Sequence, residues 1–170
     1  MSVESLFLQF SVDKLKQFTE RIEICLKTLT EDQIWARGGE NENAIGNLAL
    51  HLTGNVRQWI VTSVGNHPGN RDRDSEFSAR GGQSSAELTA ALRETVEQAT
   101  RIIADLSTDQ LTRVYEIQNY RVSGVEAVYY VVEHFAQHTG QIIFATKMLA
   151  GDDLGFYRHL SNADATDQAP

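Results

Sequence analysis

Proline occurs only twice in the 170 residues, at Pro68 and Pro170. A proline inside a helix removes a backbone donor and clashes with the preceding turn, so nearly the whole chain is free to be helical. Four long segments use that freedom, each with apolar residues recurring at helical spacing. The first runs from about Val3 to Leu29, with Leu8, Val12, Leu15, Phe18, Ile22, Cys25 and Leu29 on one side. The second runs from about Ala44 to Val64, with Asn43 as its N-cap and Gly65, then Pro68-Gly69, as its stop. The third opens with the capping box Ser84-x-x-Glu87 and carries Leu88, Leu92, Ala99, Ile102 and Leu106. The fourth opens with Ser123-x-x-Glu126, runs to about Leu149 and ends at Gly151. The expected fold is an all-α four-helix bundle over residues 1–151, followed by a C-terminal tail, 152–170. That tail ends in SNADATDQAP, small and polar enough to be partly mobile.

The connections differ in character. LTEDQI after the first helix and LSTDQL after the third share helix-start grammar, and VYEIQNYRV before the fourth reads as a small hairpin or extended piece. The middle connection, NHPGNRDRDSEFSARGGQ, is the longest and most polar. Loops beyond ~12–15 residues are uncommon in compact domains and often functional. Extended, this one is long enough to return along a helix of ~20 residues, which spans ~30 Å. The third helix can then lie parallel to the second. An up-down-down-up bundle with a long crossover between helices two and three is expected.

Hydrophobic content of 41% and charged content of 22% suit a globular domain. A net charge of -8 argues against nucleic acid as a partner. No segment offers the ~20 apolar residues of a membrane span. The start, MSVESLFLQFSVDK, lacks the basic region of a signal peptide. A single cysteine, Cys25, cannot form an internal disulfide and reads as a small buried hydrophobe. A cytoplasmic location is expected.

Three histidines carry the chemistry. His134 and His138 sit four apart in VEHFAQHTGQ, so both imidazoles project from one helix face. His51, in NLALHLTGN, can bring a third from the second helix. Three imidazoles suit zinc, nickel or iron and leave positions for water or substrate. Both stretches are apolar enough to be interior, where an unpaired ring nitrogen is costly. Asn47 and Asn55 lie one turn either side of His51, and Gln141 one turn beyond His138, as candidates to support the ligand rings or to bind substrate. The alternative is a set of hydrogen-bonded core or surface histidines. His67 and His159 read as solvated, although His159 can approach the site if the tail folds over it. Phe135 stands where a zinc protease of the H-E-x-x-H type needs its glutamate, which disfavours peptide hydrolysis.

These residues make the chain resemble the DinB-like superfamily of metal-binding four-helix bundles, the damage-inducible family and not the polymerase that shares its name. The likeness covers nearly the whole chain and is strongest in NAIGNLALHLTGNVRQWI, RDRDSEF and EHFAQHTGQIIFATKML. The resemblance implies an up-down-down-up fold, a histidine triad at His51, His134 and His138, a divalent metal (zinc or nickel foremost) and often a homodimer. Relatives include thiol transferases and a thiol-dependent isomerase. A metal-dependent transferase moving a low-molecular-weight thiol to a small electrophile is therefore the leading expectation. In it, Asn55 and Gln141 orient ligands, and the loop residues Arg37, Arg71, Arg73 and Arg80 are candidates for a cofactor's carboxylates or for plain surface charge. A small-molecule hydrolase, wanting a general base that no carboxylate on the seam obviously supplies, and a non-enzymatic metal-binding stress-response module are the rivals.

Overall fold

The computed structural model describes residues 1–158. Its helices are α1 (Val3–Thr28), α2 (Glu31–Ile34), α3 (Ile45–Val56), α4 (Arg73–Ser78), α5 (Ser85–Ala104), α6 (Thr108–Thr112) and α7 (Gly124–Ala150). A short hairpin of β1 (Val114–Ile117) and β2 (Tyr120–Ser123) precedes α7. α3 continues without a break into a π-helix over Arg57–Val64. Among the described residues, no helix is long and apolar enough to cross a membrane.

The helix starts follow from side-chain chemistry. Ser84 and Ser123 each accept a backbone N–H from the glutamate three residues on, and that glutamate accepts the serine's own N–H. Thr30 with Gln33 and Ser107 with Gln110 repeat the device for α2 and α6. The α3 start differs from the expected Asn43 cap. Ala44 occupies that position, and Asn47 reaches back so that its Oδ1 accepts the Ala44 N–H. At the far end of α7, Gly151 adopts the left-handed conformation (φ 72°) that closes a helix. Replacing Ser123 with alanine is expected to cost ~1 kcal/mol, read as a lower urea midpoint at unchanged slope.

Contacts at the helix ends set the topology. α1 packs on α5 and α7, and α3 packs on the same two, so α1 and α3 lie diagonally across the core. Gln33, just after α1, donates to the Leu149 carbonyl at the end of α7, so these two run parallel. The Ser85 hydroxyl at the start of α5 donates to the Leu26 carbonyl near the end of α1, an antiparallel pair. The α3 run begins beside Trp35, which donates to the Gln83 carbonyl ahead of α5, and ends where Gly65 meets Ile102 late in α5. α3 and α5 are thus parallel, and the bundle is up-down-down-up. The crossover that permits this is not unstructured: it carries α4, packed on α3. Ile103 rather than Ile102 is the fully buried member of the α5 stripe. Cys25 is completely buried, and burial raises its thiol pKa, leaving it an unreactive core residue.

The hairpin turns through Gln118 and Asn119, both at positive φ (50° and 68°), as a two-residue turn of right-handed strands requires. Glutamine is not a residue that favours this conformation. Its side chain holds it there: Gln118 Nε2 donates to Gln58 Oε1, and Gln118 Oε1 accepts from Trp59 Nε1.

Candidate metal centre

α3 and α7 run antiparallel and bring His51 opposite His134 and His138. One ligand nitrogen from each ring lies within 4.8 Å of the other two. The Nε2 atoms of His51 and His134 are 2.9 Å apart. A tetrahedral ion with bonds of ~2.0–2.1 Å to nitrogen needs ligand atoms ~3.3 Å apart, so small ring rotations suffice to hold one. His51 is buried, and the other two rings are partly exposed. Tyr130 stacks on His134 with ring centroids 5.5 Å apart, and Phe77 from α4 lies 4.7 Å from the ring of His51.

Two of the rings have their second nitrogen occupied. His138 Nδ1 lies 2.6 Å from Gln141 Oε1, so Nδ1 donates and Nε2 keeps its lone pair. His51 Nδ1 lies 3.1 Å from Glu76 Oε2 and 3.0 Å from Arg71 Nη2. An ionised carboxylate can only accept, and the second N–H of Arg71 Nη2 also reaches the His51 carbonyl at 3.4 Å, so we assign the proton to Nδ1, donated to Glu76. Glu76 and Arg71 are almost fully buried. Burial pushes the Glu76 carboxyl pKa up, but hydrogen bonds from Arg71 and His51 outweigh it and hold the group ionised below its ordinary range.

The His134 and His138 imidazoles are held neutral. Burial, then the neighbouring His138, His51 and Arg71, lower the His134 pKa to about 4. Burial likewise lowers His138, partly opposed by Gln141. Neutral rings are the form that binds a metal. They also set a pH dependence. In the unfolded chain His134 takes a proton near 6.5; in the folded chain it does so near 4. Between these values the unfolded state binds more protons, so stability falls as pH drops through that window. Thermal melts of metal-free protein from pH 7 to pH 4 are expected to show that fall, and a His134→Gln variant a shallower one.

The sequence-derived candidates are placed as follows. His51, His134 and His138 come together. Gln141 is exposed and bonded to His138. Asn47 is buried and its amide is spent on structure: Oδ1 accepts from Arg37 and Ala44, while Nδ2 donates to the carbonyls of Glu76 and Ala79. That leaves it no group for a substrate. Asn55 is buried on α3, 2% exposed. Arg37 and Arg80 hold carbonyls at the end of α4, and Arg73 lies over the Phe77 ring. Phe156 and Tyr157 sit against Arg21 of α1, diagonally across from α3, rather than over the triad. His159 lies outside the described residues. Sequence reasoning missed Glu76, and read Arg71 as a candidate for a cofactor's carboxylates or as plain surface charge, not as the partner of a buried acid. A cleft of about 610 Å³, which Gln58, Arg71, Glu76 and Gln118 help to line, borders none of the three histidines.

The family described as "Protein of unknown function (DUF1572)" matches residues 2–163. The chain belongs to this DinB-like family. Solved structures agree on the fold of this DinB-like protein. A conserved protein from Enterococcus faecalis superposes with a TM-score of 0.74 at 15% identity, covering 89% of this chain and 99% of its own. A DinB-like protein from Bacillus subtilis gives 0.65 at 18% identity, covering 86% and 96%. Another from Bacillus cereus gives 0.66 at 16%, covering 87% and 93%. No curated protein matches the sequence.

Proposed function

We propose that this DinB-like protein holds a divalent metal, zinc or nickel, on His51, His134 and His138, and that the site moves a low-molecular-weight thiol onto a small electrophile. The observation that carries the reading is the convergence of three imidazoles, two of them with the outer nitrogen tied by a neighbour. Structural zinc sites are usually closed by four protein ligands. Three leave a coordination position for a small molecule. A divalent ion bound there would lower the pKa of a coordinated thiol or water towards neutrality. The chain's own part is to hold the rings in place, with Phe77 against His51 and Tyr130 stacked on His134. The hydrolytic alternative wants a free carboxylate as general base, and Glu76 is committed to Arg71 and His51. A homodimer belongs to the same reading: Leu6, Phe10, Tyr129, Phe144 and Met148 are large apolar side chains exposed on α1 and α7.

Elemental analysis of purified protein, followed by a thiol panel with a reactive aryl halide, tests the proposal. About one ion per chain and a thiol-dependent rate abolished by chelation are expected. Bound metal with no metal-dependent rate for any thiol would leave a binding module instead.

A further inference from the structure

We propose that Glu76 and Arg71 are positioning residues that reach His51 from behind the metal centre and select which ring nitrogen faces the ion. The inference rests on the metal reading above, but its geometry is independent of it. Glu76 Oε2 accepts the Nδ1 proton of His51, which leaves Nε2 with a lone pair on the side of His134. The carboxylate is held in turn: Arg71 Nε donates to Oε1 and Nη2 to Oε2, both at 2.7 Å. Arg71 also donates from Nη1 to Gln58 Oε1, which accepts Gln118 Nε2 as well. The crossover, the π-helix and the hairpin turn therefore meet at one buried guanidinium.

Gly54 shows how closely this arrangement is built. It sits one turn from His51, and a Cβ there would lie 1.9 Å from Glu76 Oε1 and 2.9 Å from Arg71 Nε. Only a residue without a side chain lets the ion pair lie against the α3 backbone. The space is bought with helix propensity, since mid-helix glycine costs ~1 kcal/mol against alanine.

Glu76→Gln keeps the size but offers Arg71 and His51 an amide. With its oxygen turned to Arg71 Nε, the NH₂ group faces His51 Nδ1 and favours the ring form protonated on Nε2, the atom needed by the metal. Gly54→Ala leaves every named side chain present and displaces the carboxylate by contact alone. The test has two readouts on the intact chain. Long-range proton–nitrogen correlation NMR of metal-free protein reads the His51 tautomer, and zinc titration against a chromophoric chelator reads affinity. Wild type is expected to show Nδ1–H, with the Nε2–H form rising in both variants. Their zinc affinity is expected to fall by about 10–100-fold, the usual effect of losing an outer partner of a metal-bound histidine. Nε2–H in the wild type, or variants with unchanged tautomer and affinity within twofold, would overturn the proposal. A wild type that shows Nδ1–H but binds no zinc would overturn the metal reading and leave the positioning role standing.

Discussion

Alanine at His51, His134 or His138 lowers zinc affinity by more than about 100-fold while circular dichroism shows the helices intact. The size follows from comparison: losing a mere outer partner costs about 10–100-fold, and losing one of three direct donors must exceed that. The helices survive because the core lies elsewhere, in fully buried residues such as Leu15, Ile22, Trp59, Leu92 and Phe135. His134 and His138 stand at its edge, partly exposed. Truncating either leaves a notch open to solvent rather than a sealed cavity. Chelator competition on the three single variants, with His67→Ala as an exposed control, makes the measurement. Equal affinity across all four would sink the site.

Arg71→Ala is expected to produce a large loss of stability. It removes the partner of a buried carboxylate, and an uncompensated buried charge costs ~3–5 kcal/mol. For a chain of this size each kcal/mol shifts the melting temperature by about 2–4 °C, so a fall of about 10 °C is expected. Arg93 offers the contrast. It also forms a two-nitrogen pair with a buried acid, Glu23, but its own side chain is 54% exposed. Water reaches that ion pair, so Arg93→Ala is expected to shift the melt far less. Scanning calorimetry of the two variants at pH 7 decides the ordering, and equal shifts would refute the argument from burial.

The elements that sequence reasoning could read are those whose cause is local. Ser84-x-x-Glu87 and Ser123-x-x-Glu126 announce α5 and α7 because capping is satisfied within four residues. The histidine pair on α7 was legible for the same reason. Glu76 was not. It lies in RDRDSEF, where five of seven residues are charged, and composition there points to a solvated turn. Its burial comes from α4 folding onto α3, a contact 25 residues away from His51. A single faint signal existed in Gly54, an unexplained helix-weakening residue one turn from a candidate ligand. The π-helix was equally hidden, since the side chains at Arg57–Val64 differ little from those of an ordinary amphipathic helix.

The vacancy at Gly54 has a use in reading other chains. Where a homologue carries His-x-x-Gly in its second long helix, an arginine and a glutamate spaced Arg-x4-Glu should follow in the crossover. Where that glycine has become alanine or larger, the acid should have vanished with it. Such paired gain and loss can be looked for in raw sequences, with no coordinates at hand.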